Sequence, residues 1–97
     1  MLTSAERKAL KAKAHKLDPV VQIGAKGLTD EVIAEIERAL RAHELIKVRA
    51  ASLERVARGE AFDSICERTG AEAVQQVGKV LVLFRKNFGD NAAAAGS

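Results

Sequence analysis

The chain has 97 residues, enough for one compact domain and too few for a second core of useful size. Apolar residues make up 47% and charged residues 30%, with a single proline and a single cysteine, which excludes disordered, collagenous and disulfide-scaffold classes. A formal charge of +3 leans toward a polyanionic partner without identifying one.

Thr3 and Glu6 stand at capping-box spacing ahead of a stretch rich in Ala, Leu, Lys and Arg, which predicts a first helix running to Leu17. On a helical wheel Leu10, Ala14 and Leu17 share one side, while Lys8, Lys11 and His15 cluster opposite, flanked by Arg7 and Lys16. The helix is expected to present a cationic stripe. Pro19 disfavours helical geometry at Asp18, and Val20, Val21 and Ile23 then predict a short strand. Gly24, Ala25, Lys26 and Gly27 follow. Thr29 suits the N-cap of a second helix, Asp30 and Glu31 suit the positive end of its dipole, and Leu28 can staple onto Ile33. Val32, Ile33, Ile36, Leu40 and His43 recur at helical spacing as its apolar face.

Residues 45–50 alternate, with Ile46, Val48 and Ala50 on one side and Leu45, Lys47 and Arg49 on a wetter one, which predicts a second strand. Residues 52–59 are ambiguous. From Glu60, the spacing of Phe62, Ile65, Cys66 and Thr69 predicts a third helix that Gly70 ends. Residues 73–77 and 80–85 read as strands joined by Gly78 and Lys79, a pair suited to a type II′ hairpin turn. The apolar run from Val80 to Phe84 places the last strand centrally or under cover on both faces. The expected architecture is α/β, a single compact domain with a mixed four-stranded sheet and three helices in the order α-β-α-β-α-β-β. Residues 1–86 would form this domain, and residues 87–97, with four successive alanines, a flexible tail.

Cys66 alone cannot form an internal disulfide, and His15 and His43 lie too far from it in sequence to complete a zinc site. No cofactor or metal is expected, and the lone cysteine suits a reducing compartment. No apolar run approaches the ~20 residues that cross a bilayer, so no membrane partner is expected and the cytoplasm is the default location. Serine elbows, Cys–His pairs and carboxylate pairs in apolar settings are missing, which argues against an enzyme.

A strand that ends in Gly24, Ala25, Lys26 and Gly27 and runs into a helix places backbone N–H groups, a helix dipole and a lysine at one tip. The spacing fits neither the Walker loop nor the dinucleotide fingerprint. It matches the G-x-x-G loop with which KH-type modules clamp a single-stranded nucleic-acid backbone. A plain tight turn using glycine for positive φ would read the same way. Charge favours the clamp, because the first 28 residues hold six cations against two acids and leave the remainder slightly below neutral. The candidate contacts are Gly24, Ala25, Lys26 and Gly27 with Arg7, Lys8, Lys11 and Lys16. Lys47, Arg49 and Arg85 either extend a phosphate-contacting surface or keep their face soluble. His43 reads as a packed residue near a helix C-terminus, and Cys66, Phe62 and Phe84 read as core. The absence of Tyr and Trp argues against a sheet of base-stacking aromatics.

The segments PVVQIGAKGLT from Pro19, HELIKV from His43, TGA from Thr69 and VGKVLVLFR from Val77 are collinear over about residues 3–86. Together they resemble the successive signatures of the CRM domain family, as found in bacterial YhbY-like proteins. Residues 52–59 are less typical of it, and Phe84 stands where many relatives have Tyr. The resemblance implies a fold similar to the C-terminal domain of bacterial translation initiation factor three and RNA binding through the G-x-x-G loop and nearby basic residues. For a free-standing bacterial member it further implies association with large ribosomal subunit precursors; plant relatives carry such domains in intron-splicing factors. The leading expectation is a monomeric, non-enzymatic protein that binds ribosomal RNA during ribosome assembly and takes no small-molecule substrate. The alternatives are a protein-binding adaptor, docking through its sheet edge or acidic second helix, and an enzyme acting on a small phosphorylated substrate.

Overall fold

A computed structural model describes residues 2–87 of the chain. Its elements are α1 (Ser4–Ala14), β1 (Val21–Gln22), α2 (Asp30–His43), β2 (Leu45–Arg49), α3 (Arg55–Thr69), β3 (Glu72–Val77) and β4 (Val80–Phe84), the order expected from the sequence. The strands form one sheet ordered β1-β2-β4-β3, with β1 parallel to β2 and the other pairs antiparallel. Although α3 links β2 to β3, these strands are not neighbours. β4 folds back between them, and its Leu81, Val82 and Leu83 are at most 1% exposed, as an unbroken apolar run in a covered central strand requires.

The helices cover the sheet unequally. Val21, Ile23, Ile46, Val48, Leu81 and Leu83 face Ile36 and Leu40 of α2 and Phe62 and Ile65 of α3, forming the main core. On the opposite face, Leu45, Val74 and Val82 meet only α1, through Ala14 and Leu10. The layers are therefore a helix pair, a sheet and a single short helix.

Local chemistry fixes the helix ends. The Thr29 hydroxyl accepts from the Val32 amide at 3.2 Å, so the expected cap of α2 forms, and Leu28 and Ile33, the expected staple pair, both pack on the main core. At α1 the Thr3 hydroxyl accepts from the Glu6 amide at 3.1 Å, and the Glu6 carboxylate accepts from the Thr3 amide at 2.9 Å. The hairpin turn has positive φ at Gly78 and not at Lys79, the combination that type II′ demands.

Several expectations need correction. α1 ends at Ala14, because the amides of Lys16 and Leu17 bond three residues back and tighten the chain before the Val20 amide reaches Lys47 O at 3.0 Å. Leu17 therefore lies outside the helix and is 37% exposed. α3 begins at Arg55 rather than Glu60; the exposed Val56 and the mid-helix Gly59 blur its amphipathic pattern. His43 is exposed, since Leu40 is the last residue of α2 to reach the core. β3 starts at Glu72 and carries an irregularity between Ala73 and Gln75 that turns Val74 under α1. Asn87, expected at the head of a free tail, donates from its side chain to Leu40 O at 3.1 Å and Arg41 O at 2.9 Å, closing the end of α2. The remainder of that tail, residues 88–97, lies outside the described residues.

Candidate functional site

Residues 24–27 form a β-turn at the end of β1. The Gly27 amide donates to Gly24 O at 3.0 Å, and positive φ occurs at Gly27 but not at Ala25 or Lys26, as in a type I turn closed by glycine. Among the described residues, no backbone acceptor faces the amides of Ala25 and Lys26, the central pair of the turn. The Lys26 side chain is exposed.

The two glycines differ in what the fold asks of them. Gly27 has φ +76°, a conformation that costs other residues roughly 1–2 kcal/mol, so the turn explains it. Gly24 has no positive φ, and a Cβ built there would meet nothing within 4 Å. Neither backbone conformation nor packing requires glycine at that position. What a missing side chain does provide is clearance for a partner to approach the backbone.

Ser52 holds the turn from beneath. Its hydroxyl lies 2.8 Å from Ile23 O and 2.9 Å from Gly24 O, so one proton is shared between the two carbonyls that lead into the loop. Sequence reasoning missed this residue, which sits in the stretch without a legible pattern. The same end of the sheet holds the β3–β4 turn, since the Ala50 amide donates to Lys79 O at 2.7 Å. Arg55 and Arg58 at the start of α3 border Gly78 there, with Arg58 also donating to Leu53 O at 3.2 Å.

The start of α2 is a weaker anion site than expected. The Thr29 hydroxyl occupies the Val32 amide, and Asp30 and Glu31 lie in the first turn, where their carboxylates oppose an anion at the helix end. Asp30 is itself engaged by Arg68 at 2.9 Å. The open amides of the loop and Lys26 are thus the better-placed donors.

The basic residues of α1 and of the turn that follows it, His15 and Lys16, divide. Lys11 and His15 border a depression of about 510 Å³ on the α1 side of the sheet, shared with Lys47 and Arg49. Lys13 and Lys16 instead border an apolar hollow of about 850 Å³ between α1 and the end of α2, where His43 also lies. Lys8 is exposed and Arg7 half-buried, and neither borders these depressions. The expected stripe is therefore not one surface: Lys11 and His15, about one turn apart, share one side of the covering segment, while Lys13, two residues from Lys11, lies on the other.

Arg85 does not belong to an open cationic face. Its Nη1 donates to both Glu37 carboxylate oxygens, at 3.0 and 2.9 Å, and to Thr69 O at 2.8 Å, joining the end of β4 to α2 and α3. Cys66 is half-buried against the main core, and burial pushes its thiol up to about 11, a poor setting for a nucleophile. Among the described residues no group of three or more His, Cys, Asp or Glu side chains could hold a metal ion. Among the described residues no helix is long and apolar enough to cross a membrane.

Residues 2–85 match the family described as the CRS1 / YhbY (CRM) domain. Over 86 residues the chain is 43% identical to a Pseudomonas aeruginosa protein named "Probable RNA-binding protein", covering 89% of this chain and 83% of that one. It is 45% identical over 84 residues to a Haemophilus influenzae protein named "RNA-binding protein", covering 87% and 85% respectively. The solution structure of a hypothetical Staphylococcus aureus protein superposes with a TM-score of 0.80 at 33% identity, covering 90% of this chain and 91% of that one.

Proposed function

Because the chain belongs to the CRS1 / YhbY (CRM) domain family, we propose that it is an RNA-binding protein that holds a single-stranded backbone at the turn formed by Gly24, Ala25, Lys26 and Gly27. The relatives' RNA-binding names support the partner. The observation that carries the site is Gly24: it is exposed, needs no glycine for conformation or packing, and adjoins two open amides and an exposed lysine. Phosphate oxygens accept hydrogen bonds from backbone N–H groups and pair with a lysine as a point charge, so these groups suit a phosphodiester. Lys11, on the near side of α1, adds to the same field. Lys8, Lys16 and Arg7 contribute at longer range.

The resemblance of the sequence segments directs this activity to ribosomal RNA in large-subunit precursors, where the protein would assist assembly without catalysis. Recognition would depend on RNA shape and strandedness, because the loop offers amides and charge rather than groups that read base edges.

Replacing Gly24 with leucine separates this reading from a plain turn. Urea unfolding should place Gly24→Leu within about 0.5 kcal/mol of wild type, as for an open surface position. Binding to single-stranded RNA, followed by fluorescence anisotropy, should weaken at least about tenfold, a loss of roughly 1.4 kcal/mol. Unchanged affinity in the folded variant would remove the loop from the site.

A further inference from the structure

The half of the sheet that α1 leaves bare has a composition the fold does not need. On that face the strand register arranges side chains in rows: Leu45, Phe84 and Glu72, then Lys47, Val82 and Gln75, then Gln22, Arg49, Val80 and Val77. Leu10 and Ala14 of α1 pack with Phe84 and Val82 of the first two rows. The last row is open, and Val77 is 54% exposed.

Charge on this surface is one-sided. Lys11, Lys47 and Arg49 meet a single carboxylate, Asp18, around the depression, and none of the three makes an ion pair among the described residues. Lys47 is half-buried and makes no ion pair among the described residues. A face that had only to stay wetted would mix both signs. Arg49 also adjoins the loop directly, since its carbonyl accepts from the Ile23 amide at 2.8 Å.

We propose that this open half-sheet is the second part of the RNA site, an inference that rests on the reading of the loop above. A single-stranded segment leaving the turn crosses β2 and β4, with its phosphates against Arg49, Lys47 and Lys11 and its base faces against Val80 and Val77. Lys47 and Arg49, alternate residues on one face of β2, stand about 7 Å apart along the strand, comparable to the step between successive phosphates of an extended chain. The occupant is single-stranded because a duplex keeps its base faces stacked inside and would leave Val77 and Val80 uncovered. Valine can contact any base face, so this segment carries no base preference of its own.

The test is anisotropy titration of a labelled single-stranded oligouridylate over a range of salt concentrations. The double variant Lys47→Gln, Arg49→Gln should lower the slope of log affinity against log salt by about 1.4, at about 0.7 for each lost phosphate contact. Val77→Glu, on an exposed position of β3, should also weaken binding, while Arg38→Gln, on the exposed side of α2, controls for lost net charge and should leave binding as in wild type. Circular dichroism establishes that each variant is folded. If the double variant and Val77→Glu bind as wild type while Gly24→Leu does not, the half-sheet is excluded and the loop stands. A wild-type protein that does not bind the oligonucleotide overturns both. Equal competition by an RNA duplex overturns the assignment to a single strand.

Discussion

Gly27 and Arg85 are two residues whose roles the sequence could not separate from the site. Gly27 carries the positive φ of the turn, so a bulky replacement there would distort the loop as well as obstruct it, and a loss of RNA binding would be ambiguous. Gly24 is free of that ambiguity. Arg85 ends the family-like segment VGKVLVLFR and adds to the count of cations, yet the structure commits it to Glu37 and Thr69 O, with its side chain 19% exposed. It is a tie between elements. Arg85→Gln should therefore lower stability by about 1–2 kcal/mol in urea unfolding, because it leaves a partly buried carboxylate and a carbonyl short of donors. RNA affinity should be unchanged at temperatures where the variant is folded. A loss of affinity with no loss of stability would return Arg85 to the binding surface.

At the scale of elements, α1 is held mainly by its cap and by a few apolar contacts. The backbone amide of Thr3, then its hydroxyl, keep the Glu6 carboxyl below the ordinary carboxylate range. A carboxyl whose value is depressed on folding contributes stability above its unfolded value and loses that contribution as pH falls through the folded one. Glu6→Gln keeps the geometry of the capping box but has no charge to lose. The stability difference between wild type and Glu6→Gln should consequently be present at neutral pH and vanish in acid; a difference that persists in acid would mean that the charge is irrelevant to the cap. The cap was legible because Thr3 and Glu6 have a fixed spacing, and so were Thr29 and Gly70. The end of α1 was not, because it is set by the need of residues 18–20 to reach β2, a tertiary demand that overrides a favourable helical sequence. The start of α3 was hidden for another reason. Its first turns place Val56 outside and Gly59 within, so no apolar face announces them.

For the whole molecule, the number and order of elements followed from periodicity and turn residues, but the order of strands in the sheet did not. The apolar run from Val80 to Phe84 marked a central or covered strand, but only its pairing with both β2 and β3 shows which strands it lies between. That arrangement matters for function, because it sets Lys47 and Arg49 beside Val80 and places the loop, Ser52 and the hairpin turn at one end. The sequence exposed the loop and its charge, while the open half-sheet and the division of the α1 lysines emerge only when strand register and helix crossing are known. Within a net charge of +3, Lys11, Lys47 and Arg49 stand together on the open sheet face, next to the loop that carries Lys26. The salt dependence of RNA binding by the intact protein tests this most directly. If Lys11, Lys26, Lys47 and Arg49 each neutralise one phosphate, log affinity should fall linearly with log salt concentration, with a slope of about −3 at about 0.7 per contact on a single strand. A slope near zero would contradict a site built on phosphate contacts.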